Sequence, residues 1–287
     1  MRNGGTHVAD RWVECLACPH CGGGLHRAGG ALRCAQGHTF DIARQGYVNL
    51  LPGVVRKATA DTAAMLSARE EFLGAGHYRP LMDRVAEEAD RAAEGVEGCV
   101  IEVGSGPGRY LAAALERLPG RPGLALDLSK HAARRAAGSH PRAGAVVCDA
   151  WERMPVEDSV AAVVLSVFAP RNVPEFARML APGGAVVVAA PTGRHLEGLV
   201  GALGMIGVDP DKGERIRHGF SGAFLLERVE LLEYPIRLTR AEAVAAAAMG
   251  PTAFHVPVDE LRRRAEALDD PLETALSVEI LTWRLAR

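Results

Sequence analysis

Over the middle of the chain, apolar residues gather in short blocks that end at glycines or single acids. Val100 to Val103, Gly123 to Leu126, Ala145 to Cys148, Val160 to Val167 and Ala185 to Ala190 are each strand-sized and almost continuously apolar. Runs of that kind mark strands buried on both faces of a parallel sheet. Arg109 to Leu118 follows the first block as a helix. Upstream, Asp61 to Ala93 carries Met65, Leu66, Phe72, Leu81 and Val85 at near-helical spacings, with Asp61 as a cap and Gly74-Ala75-Gly76 as a break. Downstream, Leu225–Leu232, Ile236–Leu238 and Ser277–Leu285 read as strands that complete the sheet. The pattern predicts an α/β core from about Gly98 to Gly201 with flanking elements and no internal repeat.

The first block runs into Gly104-Ser105-Gly106-Pro107-Gly108. Gly104 and Gly106 permit close backbone approach to a ligand, and Gly108 permits tight helix–strand packing. A glycine turn alone is weak, because dinucleotide folds share it. The second block ends in Asp127, at the spacing from Gly104 where a carboxylate accepts both ribose hydroxyls of a nucleoside. The third ends in Asp149, which, with the backbone of Ala150, is placed to receive an adenine amino group. Singly, each acid is as well explained as a helix cap or a solvated strand end. Together Glu102, Asp127 and Asp149, with the turn Leu180-Ala181-Pro182-Gly183-Gly184, resemble a class I S-adenosylmethionine-dependent methyltransferase, a Rossmann-like α/β fold with a mostly parallel seven-stranded sheet. That donor has no phosphate, so a loop containing Pro107 and following Glu102 suits it better than it suits a nicotinamide cofactor.

Four of the six cysteines lie within the first 35 residues. No apolar stretch approaches the ~20 residues of a membrane span and the N-terminus has no continuous apolar run, which predicts a cytoplasmic, membrane-free protein, where such a cluster means metal rather than disulfides. Cys18-Pro19-His20-Cys21-Gly22-Gly23 is a knuckle, Leu25 to Arg33 a short hairpin turning at Ala28-Gly29-Gly30, and Cys34 with His38 a second pair. Three thiolates and one imidazole close a tetrahedral shell around a structural Zn2+. Cys15, His20 and His26 stand close enough to compete; the proline and glycine flanks favour Cys18. Cys99 and Cys148, at strand ends, read as small buried hydrophobes.

Composition is that of a globular chain: 48% apolar, 24% charged, 5% aromatic, net charge −2. Bulk charge therefore gives no argument for nucleic acid. Its distribution does: residues 1–60 hold seven basic side chains against Asp10, Glu14 and Asp41. An anionic partner would meet this front end. Arg-rich coding, with lysines only at positions 57, 130 and 212, explains the bias as well.

The ribbon followed by Gly37-His38-Thr39-Phe40-Asp41-Ile42-Ala43-Arg44-Gln45-Gly46-Tyr47-Val48-Asn49-Leu50-Leu51 resembles the bacterial 23S rRNA guanine-N1 methyltransferases. The likeness continues through Arg69, Gly76-His77-Tyr78, Glu102 to Gly108, Asp127-Leu128-Ser129-Lys130, Phe168-Ala169-Pro170-Arg171-Asn172 and Met249-Gly250-Pro251, nearly the whole chain from Cys18. It is nearest the actinobacterial branch of tylosin- and mycinamicin-resistance enzymes, where methylating one guanine at the peptide exit tunnel lowers macrolide binding. The resemblance implies a zinc module that docks an rRNA hairpin, with Cys18, Cys21, Cys34 and His38 as ligands, and donor contacts at Tyr78, at Ser105, Gly106, Pro107 and Gly108, and at His195. By themselves Tyr78 would be a packing aromatic and His195 a loop histidine. The sequence itself divides into four expected segments: a loose extension at 1–17, the ribbon at 18–53, a connector and helical segment at 54–94, and the methyltransferase domain at 95–287. A homodimer gripping one hairpin from two sides is compatible with the resemblance.

Guanine N1 is a poor nucleophile until its proton leaves, so an acceptor or a stabiliser of the resulting oxyanion is required. Phe168 is placed to stack on an extruded base and Arg171 to hold its carbonyl oxygen or a phosphate; Arg171-Asn172 equally reads as the start of a helix. No general base is evident. Arg44, Arg56, Lys57 and Arg69 are the candidate RNA-backbone contacts. Two rivals stand beside this reading: a methyltransferase of the same ancestry for a small natural product, and a zinc-dependent RNA-binding protein with a vestigial donor pocket.

Overall fold

A computed structural model describes residues 8–53 and 60–286 of the 287. Arg56 and Lys57 lie outside the described residues. In chain order the strands are β1 Leu25–Ala28, β2 Ala31–Cys34, β3 Thr39–Asp41, β4 Tyr47–Asn49, β5 Cys99–Val103, β6 Gly123–Asp127, β7 Ala143–Val147, β8 Ala161–Val167, β9 Leu180–Pro191, β10 Phe224–Leu238 and β11 Leu272–Leu285. The helices are α1 Ala63–Gly74, α2 Arg79–Ala92, α3 Arg109–Arg117, α4 Lys130–Ala136, α5 Val173–Met179, α6 Glu197–Leu203, α7 Lys212–Phe220, α8 Arg240–Ala248 and α9 Val258–Ala265.

The main sheet has eight strands in the order β10-β11-β9-β8-β5-β6-β7-β4. β4 to β9 run parallel, and β11 and β10 close one edge antiparallel. β7 and β8 are buried along their whole length, which is why they read as continuous apolar runs. Leu81, Val85, Leu111, Ala133 and Leu199 cover one face of the sheet. Phe176, Met179, Ile216, Phe220 and the ribbon cover the other. From β5 the chain winds one way through β6 and β7 and the other way through β8 and β9, so the crevice of an open α/β sheet opens at the carboxyl ends of β5 and β8.

Four expectations change. The sheet has an eighth strand, because Tyr47–Asn49 leaves the ribbon and pairs in parallel with Ala145–Val147. The extension is not loose over its described part: Val8–Cys15 forms a 3-10 helix with Trp12 and Val13 buried. The cause is an exact fit that no periodicity announces, since the Trp12 ring fills the space over Gly144, where any Cβ would overlap it. β10 is one strand rather than two; Pro235 lies inside it, tolerated because an edge strand can spare an N–H.

Asp61 does not cap α1. Thr62 does, its side chain accepting from the Met65 N–H at 3.2 Å, while the Asp61 carboxylate pairs with Arg69. The predicted break falls at Ala75-Gly76-His77-Tyr78, between α1 and α2. Among the described residues no helix is long and apolar enough to cross a membrane.

Candidate functional site

The metal cluster forms where two turns meet. Cys18, Cys21, Cys34 and His38 bring their ligand atoms within 4.8 Å of one another. Cys21 Sγ lies 3.7 Å from Cys34 Sγ, and His38 Nδ1 lies 3.3 Å from Cys34 Sγ and 3.5 Å from Cys18 Sγ. A tetrahedral shell with Zn–S of about 2.3 Å and Zn–N of about 2.0 Å has edges of roughly 3.5–3.8 Å, so the donor set fits zinc. The competitors are elsewhere: Cys15 is buried against Cys99, and His20 stacks on Phe40 with centroids 5.6 Å apart.

The second candidate site occupies the crevice. The glycine loop links β5 to α3, and Gly106 adopts φ +52°, where a side chain would be strained. A Cβ at Gly106 would also sit 3.1 Å from Arg69 Nη1, so the loop lies under that guanidinium. Gly104 turns beneath Ala169 and Gly108 against Ala136, which sets the loop between the β8 end and α4. Pro107 occupies the turn before Gly108, whose N–H donates to the Ser105 carbonyl at 2.9 Å.

Asp127 anchors the floor. Its two oxygens accept from the Gly106 and Ser129 N–H groups, each at 2.8 Å. Burial pushes its carboxyl up to about 6, with those two bonds opposing. Glu102 is fully buried and, among the described residues, accepts only from the Leu111 N–H, at 3.0 Å; burial, and then the nearby Asp127, push it up to about 8. Asp149 is half-buried and accepts from the Trp151 N–H at 2.9 Å, leaving that tryptophan exposed beside it. The Ala150 carbonyl accepts from Asn172 Nδ2 at 3.1 Å, which ties this loop to the one after β8. Asn172 thereby works as a strut and not as the start of a helix alone.

Tyr78 and His195 stand side by side, their ring centroids 5.8 Å apart. Tyr78 Oη is 2.9 Å from His195 Nε2, and the Ser277 N–H donates to His195 Nδ1 at 3.4 Å. Burial lowers His195 to about 4, so the ring is neutral at pH 7 and carries its proton on Nε2. Phe168 completes an aromatic lip, 5.5 Å from His195 and 6.1 Å from Tyr78 between centroids. Its φ is +53° and its ring is 40% exposed. A bulky residue held in left-handed backbone at a cleft mouth is a feature of functional sites. Arg171 is half-buried, donates only to the Ala169 carbonyl among the described residues, and is depressed by burial.

Of the predicted residues, the structure gathers Tyr78, Glu102, Gly104, Ser105, Gly106, Pro107, Gly108, Asp127, Phe168 and His195 around one crevice, with Asp149 and Ala150 at its β7 end. Two of the expected RNA contacts fare differently. Arg69 lies over the glycine loop and not on an outer surface, whereas Arg44 is exposed between β3 and β4. Sequence reading missed Tyr110 and Lys212. Tyr110 is buried with an unpaired hydroxyl, as is the Ser105 hydroxyl. Lys212 is depressed first by burial and then by Arg171; no carboxylate lies within ion-pair distance of either cation among the described residues. No local signal marks either residue beyond Tyr110 standing two places after Gly108.

These features fit a nucleoside donor: the acid Asp127 at the loop, buried hydroxyls without partners among the described residues, and glycines packed so closely that a Cβ would meet Ala169, Arg69 or Ser139. Residues 16–59 match the family model described as RlmA, N-terminal, and residues 100–184 match that described as a methyltransferase domain. The chain is 46% identical over 286 residues to the "Putative 23S rRNA (guanine-N(1)-)-methyltransferase" of Micromonospora griseorubida, covering 94% of this chain and 97% of that one. It is 45% identical over 273 residues to the 23S rRNA (guanine(748)-N(1))-methyltransferase of Streptomyces fradiae, covering 95% and 97%. Among solved structures, a methyltransferase from Thiobacillus denitrificans in complex with S-adenosylhomocysteine aligns over 71% of this chain and 91% of that one, at 16% identity and TM-score 0.43.

Proposed function

The chain belongs to the 23S rRNA (guanine-N(1)-)-methyltransferase family, and from that premise we propose that it carries a methyl group from S-adenosylmethionine to N1 of one guanine in a 23S rRNA hairpin. Lowered macrolide binding at the ribosome is the expected consequence. The donor, when bound, supplies an electrophilic sulfonium methyl carbon. Asp127 receives the ribose, Asp149 and the Ala150 backbone the adenine, and Glu102, Ser105 and Tyr78 the amino-acid end. The rest of the chemistry is alignment and water exclusion.

The observation that carries the acceptor assignment is the exposed Phe168 ring, held in strained backbone beside Tyr78 and His195. A flat apolar lip at the donor cleft suits a base drawn out of a stack. Arg171 and Lys212 stand nearby without carboxylate partners among the described residues, so their charge can stabilise the guanine carbonyl oxygen as N1 gives its proton to water. His195, neutral and with both ring nitrogens engaged, is a poor proton acceptor. Zn2+ holds the ribbon, whose Arg27, Arg33 and Arg44 are exposed for a phosphate backbone.

Methylated N1 blocks Watson–Crick pairing, so incubation with donor and 23S rRNA fragments should give a reverse-transcription stop at one guanine. Retained donor binding with no stop on any fragment or assembled subunit would transfer the reading to a small-molecule acceptor.

A further inference from the structure

The donor reading leaves one charge unmet. The amino-acid end of S-adenosylmethionine carries an α-carboxylate, and a carboxylate drawn out of water needs a cation or several N–H donors. Glu102, Asp127 and Asp61 are all acids, and the hydroxyls of Ser105 and Tyr110 add no charge. The guanidinium that adjoins the glycine floor is that of Arg69, whose Nη1 would lie 3.1 Å from a Cβ at Gly106.

Arg69 is held from behind. Its Nη1 pairs with Asp61 Oδ2 at 2.5 Å and its Nη2 donates to the Met249 carbonyl at 2.6 Å. Asp61 is itself fixed, because its carbonyl accepts from the Ser129 hydroxyl at 2.7 Å, next to the ribose acid. Three separate segments thus aim one half-buried cation at the loop: the entry to α1, α1 itself and the end of α8. A surface ion pair has no need of such bracing.

We propose that Arg69 receives the α-carboxylate of the donor, with Asp61 and the Met249 carbonyl acting as positioning groups. The guanidinium has five N–H groups and uses two in these bonds, which leaves others to donate, and its Nη1 and Cδ are the atoms nearest Gly106. This rests on the crevice being the donor site.

The test separates the amino-acid end from the nucleoside end. S-adenosylhomocysteine has both, whereas 5′-methylthioadenosine has the nucleoside and thioether but no carboxylate. Calorimetry on the full-length protein should show Arg69→Gln weakening S-adenosylhomocysteine by about 30-fold, as expected for loss of a charge-assisted bond. Binding of methylthioadenosine should stay within about twofold, and Arg69→Lys should fall between. Equal losses for both ligands, or none for S-adenosylhomocysteine, would overturn the proposal. A wild-type protein that binds neither ligand would overturn the donor reading and the proposal with it. Arg69→Lys serves if Arg69→Gln does not fold.

Discussion

Tyr78 Oη and His195 Nε2 meet at 2.9 Å across 117 residues of sequence. Because the Ser277 N–H occupies Nδ1, the His195 proton points at the phenol oxygen, and the phenol proton is left to donate into the crevice. Tyr78→Phe removes that donor and little apolar area. It should lower S-adenosylhomocysteine affinity about tenfold, with the melting temperature changed by no more than a few degrees. Unaltered affinity would make Tyr78 a packing residue only.

The same burial that holds His195 near 4 costs stability in acid. Below its ordinary pKa of 6.5 the unfolded chain takes up a proton that the folded chain refuses, so stability falls as pH drops from about 6.5 towards 4. His195→Gln should flatten that part of the pH–stability curve, read as melting temperature against pH.

Glu102 acts in the opposite window. Its carboxyl titrates near 8 when folded and near 4.5 when unfolded, so the unfolded chain loses its proton first and stability drops as pH rises between those values. Glu102→Gln keeps an acceptor for the Leu111 N–H and removes the ionisation. The donor-free protein should melt about 4–8 °C higher at pH 8 and no higher at pH 4, while donor affinity, measured by calorimetry, falls. A variant that gains nothing at pH 8 would mean that Glu102 is solvated in solution.

The proposed roles of Phe168 and Arg171 are toward the acceptor and not the donor. Phe168→Ala and Arg171→Ala should each lower kcat/KM for rRNA by about 30- to 100-fold, from lost stacking and lost charge stabilisation. S-adenosylhomocysteine affinity should stay within about twofold. If donor affinity falls in parallel, the two side chains shape the donor pocket instead.

Chelating zinc, or Cys34→Ser, should loosen the segment from Cys18 to Asp41 and abolish rRNA methylation. Phe176, Met179, Ile216 and Phe220 also cover the face of the sheet that the ribbon packs on, so the crevice should survive and bind S-adenosylhomocysteine normally. Hydrogen exchange read segment by segment separates these outcomes: protection lost also at β5 and β6 would contradict them.

The parallel core was legible because fully buried strands leave apolar runs that end at functional turns, as at Glu102 to Gly108. The metal cluster was legible because its ligands are local pairs and the proline and glycine flanks favour Cys18 over Cys15, which packs instead against Cys99. Contacts between distant segments left no local trace. Arg69 has the periodicity of any helix residue, and its place over Gly106 depends on how α1 crosses the loop. Trp12 carries no repeat, because its partner is an absent side chain at Gly144. The cations proposed for the acceptor are legible only in part: Arg171 stands in a recognisable loop, while Lys212 arrives from a helix some forty residues on.

The parallel pairing of Tyr47–Asn49 with Ala145–Val147 has a mechanical result. Metal knot and methyl-transfer crevice are splined to one plate, so the span between them is a fixed gauge and not a hinge. For a hairpin gripped at one end and modified at the other, stem length then becomes a selection rule: one base pair added or removed between grip and target should spoil methylation, though neither contact surface has changed.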